Sequence, residues 1–290
     1  MAVSTVTASE LTAEQVSAVL VQPLAAASVF LAAGPHIFDT AGPLRLPKMG
    51  AAVADPGWTG ENELIPERDV TFDEVTLLPS TMKSVKVLTR YSNELARQSV
   101  VALDAALRTR LVSDVAAKLD AQFLSASGDG ITTPRGLFAY PGTQTLAVGG
   151  ALTLDHLQDA EGLVLAANVD PTRVRWLMTS RDFVRLRKAK DTTGRYLIQP
   201  DPTEGGAYRL LGHGVTITNR LPATTGATPT GRAALVDFSQ IAVARDLAPS
   251  VKILDQTFGD YDQQAIRVVA RYDAAPLNPE AVVTLTGITI

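Results

Sequence analysis

Residues 85–142 read VKVLTRYSNELARQSVVALDAALRTRLVSDVAAKLDAQFLSASGDGITTPRGLFAYPG, and the change of period inside this stretch decides the fold. The first residues alternate, with Val85 and Val87 on one side, as in a half-buried strand. Ser92 then precedes Glu94 and Leu95 as a helix cap. Leu103, Leu107, Leu111, Val115, Leu119 and Phe123 recur every four residues. Asp104/Arg108 and Asp114/Lys118 add acid-before-base pairs on other faces. The pattern predicts one long helix over 92–126. A four-residue step drifts by about 40° per repeat on a helix of 3.6 residues per turn. The apolar stripe should therefore wind, and its two ends are expected to face different partners. Ser127-Gly128-Asp129-Gly130 stops the helix, and 131–142 is a loop with apolar anchors.

Upstream, residues 42–91 read as a long β-hairpin. The outgoing arm is expected over 44–53 and the return arm over 70–90, where Val70/Phe72, Val75/Leu77 and Val85/Val87 alternate. Between the arms, residues 55–74 hold seven acids against one base, Arg68. A hairpin so long and so poorly covered is not stable alone. Trp58, Leu64 and Ile65 are its apolar contacts for a neighbour, with Glu61, Glu63 and Glu67 beside them. Further upstream, Thr12 and Gln15 form a capping-box start for a helix that Pro23 kinks or ends. Residues 16–33 are apolar enough to raise a membrane span. The run has Gln22 and Pro23 at its centre, no basic flank and barely spanning length. It reads instead as an arm that buries itself against other protein.

Downstream of 150 the pattern turns to mixed helix and strand. Helices are expected over 154–167, capped by Thr153, and over 180–190. Strands are expected over 173–178, 215–218, 235–245, 251–254, 265–272 and 281–290, the last three closing one sheet. Ile266, Val268, Ala270 and Tyr272 share a face, and Arg267 and Arg271 the other. Residues 173–195 carry eight bases against two acids. Arg181, Arg185, Arg187 and Lys188 are the candidates there for pairing with an acidic surface. The 55–74 tip of another copy is one such surface, and packaged DNA another.

Composition sets the outer bounds. The chain has 290 residues, 46% hydrophobic and 19% charged, with a net charge of −4. That excludes a disordered polyelectrolyte and a protein coating nucleic acid through its whole surface. The absence of cysteine excludes disulfides, thiolate metal sites and a cysteine nucleophile. His36, His156 and His213 are too scattered to suggest a metal pair. There is no Walker loop, no GxGxxG after a strand, no GxSxG and no HExxH. Gly212-His213-Gly214 and Asp260-Tyr261-Asp262 read as turns. No catalytic, cofactor or metal site is expected.

The order of these segments resembles the major capsid protein of tailed bacteriophages, the Hong Kong 97-type fold, over nearly the whole chain. Residues 85–142 carry most of the likeness: a strand, a long spine helix, a Gly-rich stop and a turn at Pro134-Arg135-Gly136-Leu137. Residues 58–79 resemble that family's extended hairpin loop. Residues 175–198 and 210–222 resemble its axial domain. Residues 260–287 resemble its closing sheet, with Arg271-Tyr272-Asp273 as an Arg-x-Asp element. The resemblance implies an α+β chain divided into an N-terminal arm (1–41), an extended hairpin loop (42–91), a peripheral domain with the spine helix (92–150 and 251–290) and an axial domain (151–250). It implies hexamers and pentamers that close into an icosahedral shell around double-stranded DNA. It further implies a virion assembled in the host cytoplasm, portal and scaffolding partners, decoration proteins in some cases, and no membrane.

Two departures from that family shape the expectation. Met1 is followed almost directly by the arm, so scaffolding should be a separate protein or unnecessary. The 55–74 tip holds no lysine for a covalent crosslink; Lys48, Lys83 and Lys86 lie on the arms. Gln263 and Gln264 stand where the acceptor asparagine is sought, so a non-covalent shell is expected. The alternatives are an encapsulin-type cellular compartment, which shares the fold but houses an enzyme rather than a genome, and a soluble α/β enzyme that is a monomer or small oligomer with a concave polar pocket.

Overall fold

The computed structural model describes residues 28–49, 58–64, 72–98, 103–198, 208–225, 228–254 and 256–290. The helix expected from Thr12 to Gln22 lies outside them. The elements follow in chain order. A short helix α1 (Val29–Ala32) leads to β1 (His36–Asp39). The hairpin strands are β2 (Leu44–Met49) and β3 (Phe72–Leu77). Next come β4 (Val85–Ser92), α2 (Asn93–Gln98) and α3 (Leu103–Phe123). A mixed region follows: β5 (Gln144–Ala147), α4 (Leu154–Ala166), β6 (Val174–Met178), α5 (Ser180–Arg187), β7 (Arg209–Leu210) and β8 (His213–Ile217). The chain closes with β9 (Thr230–Asp237), β10 (Ile241–Leu254), β11 (Gln263–Pro276) and β12 (Val282–Thr289).

These strands make two sheets and a ribbon. One sheet has the order β1-β10-β11-β4, the other β5-β12-β9-β6-β8-β7, and among the described residues β2 pairs only with β3. On the four-stranded sheet, Ile266, Val268, Ala270 and Tyr272 of β11 turn inward with Tyr91 of β4. They meet Leu111, Val115, Leu119 and Phe123 of α3 in one core. Each of the larger aliphatic side chains and Phe123 contributes about 1.5–3 kcal/mol on leaving water. On the six-stranded sheet, Trp176, Leu235, Val283 and Leu285 pack beneath α4 (Leu157, Ala160, Val164) and α5 (Phe183, Leu186). The opposite face of that sheet places Leu177, Ala234, Val236 and Val282 in the α3 core, so the two bodies share apolar contact.

Several sequence expectations change here. The return arm of the hairpin does not run to Arg90. Leu78 takes a φ of +51°, and Pro79 has no N–H to continue a ladder. The hairpin stops at Leu77, and β4 pairs instead with β11, Val87 opposite Val268. The outgoing arm is β2 (Leu44–Met49), and the rest of the expected 44–53 arm lies outside the described residues. The helix expected over 92–126 is α2 and α3, with 99–102 outside the described residues. The winding stripe does not separate its ends within 107–123. Over the four steps from Leu107 to Phe123 the drift is about 160°. Residues of β4 and β11 together with Phe30 and Leu221 close one core around the stripe. Residues 235–245 are not one strand: Asp237 accepts from the Ser239 N–H and turns the chain from β9 of one sheet into β10 of the other. The final strand, β12, joins β9 and β5, not the sheet of β10 and β11.

Candidate subunit-contact surfaces

The hairpin leaves the body at a corner held by β11. The Leu78 N–H donates to Asp273 Oδ2 at 2.8 Å, and Arg271 Nη2 donates to the Pro79 carbonyl at 3.1 Å. Arg271 Nη1 also donates to Asp246 Oδ2 at 2.9 Å, which fixes the guanidinium between β10 and the corner. Leu77, Leu78 and Met82 are buried against Ala242 and Ala244. Burial pushes the Asp273 carboxyl up to about 6, against the lowering pull of the Leu78 and Ala274 N–H groups. Tyr140 donates its hydroxyl to the Ala274 carbonyl, and burial raises that phenol well above its ordinary value.

The loop after α3 braces the same corner. Asp129 accepts from the N–H groups of Ile131, Thr132 and Thr133 and from the Thr132 hydroxyl. Those bonds hold its carboxyl well below the usual carboxylate range. The loop's Ile131 and Thr132 carbonyls then accept from Thr81 Oγ1 and the Lys83 N–H, both at 2.9 Å. Gly136 lets the chain cross under this loop: a Cβ there would stand 2.2 Å from the Ser125 carbonyl oxygen. The hairpin therefore springs from a rigid base.

A second junction lies where the arm enters. Asp120 of α3 is fully buried. Its carboxylate accepts from Ser28 Oγ and the Val29 N–H at 2.5 and 2.7 Å, and from Arg220 Nη1 at 2.7 Å. One side chain thus ties the arm, the long helix and the loop after β8. Phe30 follows and stacks on Phe123 with ring centroids 5.0 Å apart.

The residues singled out as subunit contacts fall into two groups. At the hairpin tip, Glu61 and Glu63 are exposed, and Glu63 accepts from the Gly60 N–H at 3.0 Å. Trp58 and Leu64 show 106% and 92% relative exposure, so both stand almost fully in solvent. Ile65 and Glu67 lie outside the described residues. On α5, three of the four bases are engaged locally. Arg181 grips buried Asp182 with Nε and Nη2, Arg185 donates to the Thr289 carbonyl, and Arg187 sits over the Phe183 ring. Lys188 is exposed. No ion pair joins the tip to α5 among the described residues. Gln264 accepts from the Tyr91 hydroxyl at 3.1 Å, so one of the two glutamines is already engaged at home. His213 is buried beside Glu161 on β8, and His156 completes the Thr153 capping box of α4; both are structural.

Sequence reasoning missed Asp120 and Arg220. The available signal was faint: Asp120 sits beside Leu119 and three residues before Phe123, an acid on the flank of an apolar stripe. Among the described residues no group of three or more acids and histidines could hold a metal ion, and no helix is long and apolar enough to cross a membrane.

The combination of a long core helix, a projecting two-stranded ribbon and two sheets sharing one core can be set against known proteins. The profile of the phage capsid family matches residues 9–287. The chain belongs to the phage capsid family. The capsid chain also resembles solved structures along its length. It superposes on the capsid of the native GTA particle with a TM-score of 0.78 at 20% identity, covering 96% of each chain. A chain of Mycobacterium phage Adephagia gives 0.73 at 18% identity, over 95% of this chain and 94% of that one. A chain of Microbacterium phage Oxtober96 gives 0.74 at 16% identity, over 97% and 98%. At these identities the likeness is one of fold. A comparison with curated protein sequences gives no match. The expected α+β capsid fold is thus borne out, and the capsid chain is a building block of a shell.

Proposed function

We propose that this capsid protein is the major shell subunit of a tailed phage, assembling as hexamers and pentamers into an icosahedral particle around double-stranded DNA. It acts by contact rather than by catalysis, in the virion, after assembly in the host cytoplasm with portal and scaffolding proteins as partners. Two bodies serve the shell, a peripheral one built on α3 and the four-stranded sheet and an axial one built on the six-stranded sheet. The observation that carries this reading is the ribbon β2–β3. It is anchored at its base by Asp273 and Arg271 and carries Trp58 and Leu64 uncovered at its tip. A neighbouring copy is the surface such a tip requires, and heterologous contacts that close into rings supply it.

Electron microscopy of the purified chain should show closed shells, and particles from infected cells should protect DNA from nuclease. A particle filled with protein instead of DNA would point to a cellular compartment, and a monodisperse monomer at all concentrations would refute the shell. Boiled particles should run as single chains on a denaturing gel; a ladder of covalent oligomers would overturn the non-covalent shell.

A further inference from the structure

The outer face of the four-stranded sheet carries charge that its own chain leaves unanswered. Ile266, Val268 and Ala270 of β11 enter the core, so Arg267 and Val269 point outward. Opposed residues share a face, and the register therefore sets three rows outside. Lys86 lies opposite Val269; Leu88 opposite Arg267, with Lys252 beyond it; and Arg90 opposite Ala265, with Leu254 beyond it. These rows contain Lys86, Arg90, Arg267 and Lys252 and no acid. Successive rows stand about 7 Å apart along the strands.

Lys86, Lys252 and Arg267 are exposed, and none of their side chains has a hydrogen bond, ion pair or ring contact among the described residues. Arg90 is held over the Phe258 ring, 4.1 Å from its centroid, at the margin of the patch. Arg267 and Lys252 are directly opposed, and like charges so placed destabilise a sheet. Leu88 stands among the four bases and is 46% exposed. Acids at the two ends of the face are engaged. Asp246 accepts from Arg271, and Asp262 accepts from the Asn93 side chain.

We infer that this face is the seat for the ribbon tip of a second copy, residues 58–64, with Glu61 and Glu63 set against Arg267 and Lys252 and with Trp58 and Leu64 laid over Leu88. The tip brings what the face lacks. Glu61 and Glu63 are exposed, Glu63 keeps its charge while accepting from the Gly60 N–H, and the surrounding residues 55–74 hold seven acids against one base. Trp58 and Leu64 stand in solvent, so the tip does not lie on its own sheet. Complementary charges of this kind fix register and steer encounter, and the apolar pair supplies the anchor. DNA fits less well, because phosphates answer the bases but leave Leu88 uncovered between them. The α5 bases fit less well too, being largely engaged within their own chain. The inference rests on the reading of the ribbon as an assembly arm and names the surface that receives it.

Association of purified full-length subunits is followed by sedimentation over a concentration series. Reversing the face in K252E/R267E, or the tip in E61K/E63K, should raise the concentration for half-assembly about tenfold, because like charges then meet across the contact. The combined variant K252E/R267E/E61K/E63K restores opposite charges and should return to within about threefold of wild type. A combined variant no better than the worse of the two reversals would overturn the seat. If a reversal disturbs folding, the neutral pairs K252Q/R267Q and E61Q/E63Q give the same cycle, in which the second neutralisation should cost less than the first; independent costs would overturn the seat. So would K252E/R267E that assembles like wild type while its subunits lose affinity for a fluorescent DNA duplex, since the face would then serve DNA. Electron microscopy of the same samples separates this inference from the shell. Rescue by the combined variant in an oligomer that never closes would sink the shell and leave the docking standing. Closed shells indifferent to every reversal would do the opposite, and a wild type that never associates would overturn both.

Discussion

Asp273 is the residue on which the hairpin corner turns. It is a buried carboxyl raised to about 6 by burial, so the native state holds its proton more tightly than the unfolded chain does. Its contribution to stability is therefore greatest below the ordinary carboxylate value and is lost as pH rises through about 6. The depressed carboxylates Asp39, Asp129, Asp170 and Asp191 act with the opposite sign, and only below their ordinary range. Between pH 4 and 7 the Asp273 window stands apart from theirs. The full shift corresponds to about 3 kcal/mol. Urea unfolding of dissociated subunits should show wild type losing up to that amount from pH 4 to 7 relative to Asp273→Asn. Parallel pH curves for the two proteins would remove Asp273 from this role. Asp120 is a different case, because its loss strands the Arg220 guanidinium and the Val29 N–H together. Asp120→Ala should cost about 3–5 kcal/mol in the same assay, with early proteolysis of the arm. A cost below 1 kcal/mol would mean the junction is dispensable.

At the scale of elements, sequence pattern and structure agree where one period rules and part company where the chain changes sheet. The four-residue repeat of α3, the Thr153 cap and the inward row of β11 were all legible. The hairpin's end was not. Alternation continues from Val75 past Val85, and only the left-handed Leu78 before Pro79 separates ribbon from sheet. The β9-to-β10 crossing was hidden for the same reason, since Asp237 interrupts a run that is apolar on both sides. The turn at Pro134-Arg135-Gly136-Leu137 was visible as a pattern, but its cause is a contact, the approach of Ser125 to Gly136. Gly136→Ala should therefore force the loop off α3 and cost roughly 1–3 kcal/mol. Gly150→Ala, where an added Cβ meets nothing, should stay within about 0.5 kcal/mol. Thermal melting of both variants decides it, and equal melting temperatures would contradict the account. The candidate contacts were half legible: the exposed tip residues follow from composition, but the engagement of Arg181, Arg185 and Arg187 within their own chain depends on Asp182, Thr289 and Phe183, which only the fold brings near.

For the whole molecule, the account rests on the tip of the ribbon being covered by another copy in the particle. The chain contains only two tryptophans, and they sit at opposite extremes. Trp176 is fully buried in the core of the six-stranded sheet, and Trp58 is fully exposed. Any change in tryptophan emission on assembly therefore reports on Trp58. The direct measurement is the emission maximum and iodide quenching of dissociated subunits against intact shells, with Trp58→Phe as the blank. The account predicts a blue shift and loss of quenching in the shell that vanish in Trp58→Phe. An emission maximum and quenching constant unchanged by assembly would leave the tip in solvent and contradict it.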